Sequence, residues 1–276
     1  MTNNREPWIS GAKSLLFAPA SRPERFDRAD SSGADGIVLD LEDGVAEADK
    51  ADALGNAITW LRNGSRAIVR INGSGTDWQL HELKRLGDLA DVTVMVPKVE
   101  TIGDINVVAA ALRPGRHAIV ATVETAWGLL NLPEICSAPS VVRIGFGNVD
   151  LATDLGVRAT DRAALQYSRS AVVAHSRAFG LAAPLDGVTL DTKNETVVAD
   201  DAAYAASLGF GGRICIHPAQ VARTNEAFAP SASELEWAAR VVAGSEHSAV
   251  GVIDGEMVDK PVVERARRIL ARRGTN

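Results

Sequence analysis

Cysteine is scarce in this sequence. Cys136 and Cys215 are the only two, and they form neither a C-x-x-C pair nor a Cys/His metal spacing. That excludes a disulfide-stapled fold and an ordinary structural zinc site, and it predicts two buried thiols in a reducing compartment. Long apolar runs are also missing: none exceeds strand length, so no segment is suited to span a membrane. A basic stripe is missing too. Lys and Arg number 29 against 35 Asp and Glu, a net charge of −6, which argues against a nucleic-acid footprint. The arginines gathered near the C-terminus (Arg265, Arg267, Arg268, Arg272, Arg273) fit one solvated helix face. The first ten residues are polar and carry no secretory signal core. A soluble, cytoplasmic protein is the expectation. Finally, no G-x-G-x-x-G follows the first apolar run, which removes the signature of an open dinucleotide-binding sheet.

What is present is a repeat of short apolar runs with helical stretches between them. Eight runs occur, at 14–18, 36–39, 67–71, 92–96, 118–123, 141–146, 181–185 and 214–216. They are continuous rather than alternating, as parallel strands buried on both faces require. Helical periodicity fills 46–61, 77–89, 101–112, 161–179 and 195–208. Eight βα units in 276 residues predict an α/β fold, a (β/α)₈ TIM barrel over residues 1–228. Residues 229–276 then form a helix–hairpin–helix extension. Ser231 or Ser233 caps a helix to about Ser245, a hairpin over 250–258 turns at Asp254-Gly255, and Pro261 opens a last helix to about Arg272. These elements cannot join a closed barrel. They pack outside it, across its mouth, or on a neighbouring subunit.

In such a barrel the loops after the strands converge on one cavity. The residues following the eight runs are Pro19-Ala20-Ser21-Arg22, Asp40-Leu41-Glu42-Asp43, Arg70 with Asn72, Pro97-Lys98, Glu124, Gly147-Asn148-Val149-Asp150, Asp186 and His217-Pro218. Together they predict a charged mouth. Glu124 and Asp150 come from adjacent strands, and two close carboxylates repel unless a cation or proton intervenes. Oxygen donors without Cys or His favour a hard ion such as Mg²⁺; a proton-sharing pair or two separate caps is the alternative. Arg70 suits a substrate carboxylate or a developing oxyanion, or else a rim salt bridge with Glu42 or Asp43. His217 before a proline fits a hydrogen-bonded structural role better than that of a base.

At these residues the sequence resembles the citrate lyase beta-subunit-like family of the HpcH/HpaI aldolase superfamily, which includes malyl-CoA and citramalyl-CoA lyases. The resemblance runs from Leu16 to Leu270. It takes in Phe17-Ala18-Pro19-Ala20-Ser21-Arg22-Pro23-Glu24-Arg25-Phe26, Leu39-Asp40-Leu41-Glu42-Asp43-Gly44-Val45, Val69-Arg70-Ile71-Asn72, Val96-Pro97-Lys98-Val99-Glu100 and Val123-Glu124-Thr125-Ala126. Gly147-Asn148-Val149-Asp150-Leu151, Cys215-Ile216-His217-Pro218-Ala219-Gln220 and Gly255-Glu256-Met257-Val258-Asp259-Lys260-Pro261 complete it.

The resemblance implies Mg²⁺ on Glu124 and Asp150, Arg70 on the substrate, and Asp259 reaching the active site of a neighbouring subunit as the base. It implies a homo-oligomer, a trimer or a hexamer. Glu42, Asp43 and Asn148 complete the expected substrate pocket with Arg70 and Glu124. Lys13, Arg22 and Arg25 are the expected contacts for the nucleotide part of coenzyme A, by charge and nearness to the rim. Two departures stand out: Arg213 where lysine is frequent, and Asn148 where alanine or glutamate is common. The implied activity is Mg²⁺-dependent cleavage or condensation of a β-hydroxyacyl-CoA such as citramalyl-, malyl-, citryl- or hydroxymethylglutaryl-CoA. The products of cleavage are acetyl-CoA, or a homologue, and an oxoacid. The alternatives are an aldolase on free pyruvate derivatives, an acyl-CoA thioesterase, and a carrier-dependent subunit of a citrate lyase complex.

Overall fold

The computed structural model describes residues 8–89, 91–112, 117–245, 251–253 and 256–271. The chain divides into two compact units between Asn225 and Glu226, a point inside the helix Val221–Phe228.

In the first unit eight strands close into a barrel in chain order. They are β1 (Ser14–Pro19), β2 (Gly36–Asp40), β3 (Ile68–Arg70), β4 (Thr93–Val96), β5 (Ala118–Val123), β6 (Val141–Phe146), β7 (Ala182–Asp186) and β8 (Gly212–Cys215). Every neighbouring pair is parallel, β8 with β1 included. The eight expected runs are these eight strands with their ends shifted; β3 is shorter, and β8 begins at Gly212. Closure leaves no unpaired edge.

Leu15, Val38, Ile68, Met95, Val120, Leu185 and Ile214 form one core cluster, with Val142 packed against it. Side chains from all eight strands meet only inside a barrel, so these residues mark the inward face. Period-two alternation then decides which neighbours point where. Asp40 and Arg70 share the inward face with Val38 and Ile68. Asp186 and Arg213 point outward, to the helices.

Helices lie at Lys50–Arg62, Asp77–Leu86, Ile102–Ala111, Arg162–Ala178 and Glu195–Leu208, where periodicity places them. The starts at Asp77, Arg162 and Glu195 are capped by side chains. Thr76 accepts from Gln79 N at 3.2 Å, Asp161 from Ala164 N at 3.1 Å and Asn194 from Thr196 N at 3.1 Å, each satisfying an otherwise orphaned donor. The helix Glu195–Leu208 stops at Gly209, whose φ of 101° suits glycine. The expected helix over 46–61 opens instead as a 3₁₀ turn, Glu47–Asp49. Three short helices, Ala126–Leu130, Leu132–Ser137 and Asn148–Asp154, are too brief to leave a periodic signal.

The N-terminal end of the barrel is plugged by the 3₁₀ turn Trp8–Gly11, with Ile9 fully buried. Arg143 of β6 lies buried there and donates to Ile9 O and Ala12 O at 2.7 Å and to Ala183 O at 2.6 Å. Burial lowers its pKa to about 9. The polar opening of the chain gives no hint of this plug.

In the second unit the helix Ala232–Ser245 is followed by an antiparallel pair, β9 (Gly251–Ile253) with β10 (Glu256–Val258), and by the helix Lys260–Ala271. It has a core of its own in Ala238, Val241, Val258, Ala266 and Ile269. Ser231 and Glu234 form the reciprocal cap: Ser231 Oγ accepts from Glu234 N at 3.2 Å, and Glu234 Oε2 accepts from Ser231 N at 2.9 Å. The expected turn at Asp254-Gly255 lies outside the described residues, as do Arg272 and Arg273. Cys136 and Cys215 are buried and unpaired, and burial pushes the Cys136 thiol up to about 12. Among the described residues no helix is long and apolar enough to cross a membrane.

Candidate active site

The C-terminal end of the barrel begins with an ion pair that the strand register dictates. Asp40 and Arg70 are the last paired residues of β2 and β3 and stand opposite each other. Arg70 Nε donates to Asp40 Oδ1 at 2.6 Å and Nη2 to Oδ2 at 2.8 Å, a two-pronged bond. Nη1 reaches Glu42 Oε2 at 3.0 Å, and the guanidinium stacks on Phe17 of β1, 4.6 Å from the ring centre. Asp40 also accepts from Glu42 N at 3.0 Å and Gly44 N at 2.9 Å. Five N–H groups serve a guanidinium. Two are hydrogen-bonded here, both to Asp40, and the contact with Glu42 is an ion pair.

The loop after β2 is held from beneath. Lys50 Nζ donates to Leu41 O at 2.8 Å, Glu42 O at 3.1 Å and Asn72 Oδ1 at 2.6 Å. Asn72 bonds Glu82 through both its backbone and side-chain nitrogens. Buried Glu82 is pushed up to about 7, by burial first and against those bonds.

Glu124 follows β5 and is only 4% exposed. Its Oε1 accepts from the backbone N–H of Lys98 at 2.8 Å. Gly147, at the end of β6, packs so tightly that a β-carbon there would lie 2.2 Å from Glu124 Oε2. Burial pushes Glu124 up to about 7; the Lys98 N–H opposes the rise, and Glu42 and Asp150 add to it. Asp150 sits in the first turn of Asn148–Asp154 with its side chain 41% exposed. Lys98 spans the group. Its Nζ is 2.6 Å from Glu42 Oε1, 3.7 Å from Asp43 Oδ2 and 3.9 Å from Asp150 Oδ2.

The donor chemistry suits a hard divalent ion. The Asp150 carboxylate adds to the rise at buried Glu124, and a cation between the two relieves that repulsion. Both offer oxygen only, and Asp150 opens to solvent, leaving positions for water and substrate. Among the described residues no three His, Cys, Asp or Glu side chains gather around one metal-holding point. An ion here would rest on Glu124 and Asp150.

The other expected site residues fall in several places. Arg22 and Arg25 line a groove of about 880 Å³ beside the rim, with Gly44 and Asn56 among its walls. Lys13 does not belong there. It precedes β1, at the opposite end of the barrel from the mouth, and its backbone N–H donates to Asp35 Oδ2 at 2.6 Å. Asn148 is buried, and its amide is held by the backbone of Val188, accepting at 2.8 Å and donating at 3.1 Å. It ties the end of β6 to the loop after β7.

Asp186 does not face the mouth either. It points outward and pairs with Arg169 at 2.9 Å and Arg213 at 3.4 Å. His217 caps the turn Pro218–Gln220, accepting from Ala219 N at 3.2 Å. Asp259 belongs to the second unit, where its Oδ1 accepts from Val262 N at 3.3 Å at the start of Lys260–Ala271. The expected set omits Asp40 and Lys98. Both were visible as strand-end charges, and only their partners reveal what they do.

Comparison with known proteins follows the same outline. The family model described as HpcH/HpaI aldolase/citrate lyase matches residues 13–218. A citrate lyase subunit beta-like protein of Mycobacterium tuberculosis (strain H37Rv) is 38% identical over 266 residues, covering 94% of each chain. A (3S)-malyl-CoA thioesterase of Cereibacter sphaeroides (strain ATH 2.4.9) is 35% identical over 270 residues, again 94% of each. Among solved structures, the M. tuberculosis protein CitE in complex with magnesium, acetoacetate and coenzyme A superposes with a TM-score of 0.82 at 37% identity. That match covers 96% of this chain and 99% of the other.

Proposed function

This chain belongs to the HpcH/HpaI aldolase/citrate lyase family, and from that premise we propose that it is a Mg²⁺-dependent lyase. It breaks, or in reverse forms, the carbon–carbon bond of a β-hydroxyacyl-CoA. The observation that carries the reading is one mouth in which Arg70, anchored on Asp40 and Glu42, stands among Glu124, Lys98 and Asp150. An enzyme with lyase or thioesterase activity is the family's common ground. The solved relative holding magnesium, acetoacetate and coenzyme A supports the cofactor and the thioester.

In this reading Glu124 and Asp150 hold Mg²⁺, which when bound supplies Lewis-acid polarisation of substrate oxygens. The Arg70 N–H groups not bonded to Asp40 bind the substrate carboxylate and stabilise the enolate oxygen as charge develops there. Asp40 and Phe17 fix the guanidinium beforehand, so little reorganisation accompanies the reaction. Glu42 and Asp43 line the substrate's approach, and Asn148 shapes the wall beside Asp150. Arg22 and Arg25, on their groove, meet the nucleotide phosphates of coenzyme A. Asp259 of a neighbouring copy takes the hydroxyl proton, the bond between Cα and Cβ breaks to give an oxoacid and a thioester enolate, and protonation of the enolate at carbon gives acetyl-CoA or a homologue. Under this assignment the extension from about residue 229 serves a homo-oligomer, a trimer or hexamer, in the cytoplasm.

A second reading has a specific support: the relative named as a malyl-CoA thioesterase is almost as similar as the citrate lyase-like one. There water captures the thioester carbonyl and releases a hydroxy acid and free coenzyme A. A panel of citramalyl-, malyl-, citryl- and hydroxymethylglutaryl-CoA incubated with protein and Mg²⁺ separates the two by products. Oxoacid with acetyl-CoA supports the lyase. Hydroxy acid with free coenzyme A supports the hydrolase, and turnover confined to free hydroxy-oxoacids overturns both.

A further inference from the structure

Behind the barrel wall, Asp186 of β7 and Arg213 of β8 stand opposite each other in register and face the helices Arg162–Ala178 and Glu195–Leu208. A cavity of about 230 Å³ opens there between strands and helices, far more room than one water needs. Of the residues assigned to the mouth, only Asn148 lines it.

Arg169 and Arg213 line this cavity and are 4% and 3% exposed. A guanidinium has five N–H donors and keeps its charge, so burying one demands acceptors. Arg169 Nε donates to Asp186 Oδ1 at 2.9 Å. Arg213 lies 3.4 Å from Asp186 Oδ2 and 3.5 Å from Asp201 Oδ2. Yet Arg169 Nη1 and both Nε and Nη1 of Arg213 have no hydrogen-bond partner among the described residues. Asp186 Oδ2 has none either and is held by the Arg213 charge alone. The other carboxylates on the wall are spent. Asp201 accepts from Arg162 and from Thr189, each at 2.8 Å, and Asp191 accepts from the backbone N–H of Lys193 at 3.0 Å. Donors therefore outnumber acceptors around the cavity.

Unpaired N–H groups on two guanidiniums suit a carboxylate, which takes charge-assisted bonds on both its oxygens. Asp186 and Asp201 beside them limit the occupant to one negative charge and disfavour a phosphate dianion. Val188 and the ring of Tyr204, also on the wall, offer apolar surface to a short carbon chain.

We infer that this cavity is a binding site for a small monocarboxylate, its head between Arg169 and Arg213 and its chain against Val188 and Tyr204. The site uses neither Arg70 nor the proposed metal ligands, so it stands or falls apart from the lyase reading.

The test is propionate binding to the metal-free, full-length chain carrying Arg70→Ala, which removes the anion site of the mouth. Broadening of the propionate methyl proton resonance reports it. One saturable site in the millimolar range is expected, unaffected by an equal concentration of inorganic phosphate. In that background Arg213→Lys keeps a cation beside Asp186 and Asp201 but loses Nε, and it should weaken binding about 10-fold, the loss of one charge-assisted bond. Val197→Trp, on the half-exposed lip of the cavity, should abolish binding by filling the space, with circular dichroism unchanged. No saturable binding, displacement by phosphate, or undiminished affinity in either variant overturns the inference.

Discussion

Arg70 has its geometry settled before any substrate arrives: two hydrogen bonds to Asp40, an ion pair with Glu42 and a ring beneath it. Lysine keeps the charge and loses the fork. Arg70→Lys should therefore lower kcat/KM by about 10²–10³-fold, the scale for losing a preorganised oxyanion donor, with little change in metal affinity. Glu124→Gln and Asp150→Asn should each lower Mg²⁺-dependent turnover by at least about 10³-fold, several kcal/mol of lost Lewis-acid stabilisation. Their circular dichroism should stay that of the wild type. Glu82 makes a different prediction. Its carboxyl holds a proton to about pH 7 when folded and to about 4.5 otherwise. Unfolding thus releases a proton between these values, and stability falls as pH rises through the window. In Glu82→Gln that slope should become shallower, Glu124 being raised into the same window and supplying the rest, in thermal melts recorded between pH 5 and 7.5 (roughly the same window); an unchanged slope assigns the effect elsewhere.

Single strands and turns hold the mouth and the base of the barrel. Register alone brings Asp40 beside Arg70, so the pair was already set by the run over 36–39, which Asp40 follows, and the run over 67–71, which contains Arg70. Register could not reveal the plug beneath. Arg143 ties β6 and β7 to the turn Trp8–Gly11 through three backbone carbonyls, and an arginine within an apolar run is silent about its partners. Arg143→Ala strands those carbonyls, and the loss of buried hydrogen bonds should destabilise the chain by roughly 3 kcal/mol. Because the plug lies a strand length from the mouth, kcat at a permissive temperature should stay near wild type. A large fall in kcat with an unchanged melting point would contradict this division of labour.

For the molecule as a whole, two units each have a core of their own, and the proposed base, Asp259, lies in the second. If that aspartate serves a neighbouring copy, mixtures should show it. Arg70→Ala and Asp259→Ala, each inactive alone, should regain activity when their subunits are mixed and reassembled, because some mouths then combine an intact Arg70 with an intact Asp259. Mixtures that stay as inactive as their parents would show that the base comes from elsewhere.

The amino-acid sequence by itself determined the eight strands, their order, the capped helices and the separate helix–hairpin–helix unit. Those features follow from local periodicity and end signals, which need no knowledge of distant residues. It also placed Arg70, Glu124 and Asp150 at strand ends, because a barrel's mouth lies where its strands finish. Tertiary structure alone decided where side chains point and whom they meet. Asp186 turned toward the helices, Lys13 fell at the far end, Asn148 was taken up by Val188, and Lys98 came to sit among three rim carboxylates. The reason is physical. Direction and partnership depend on closing the barrel, which brings together residues that no window along the chain contains.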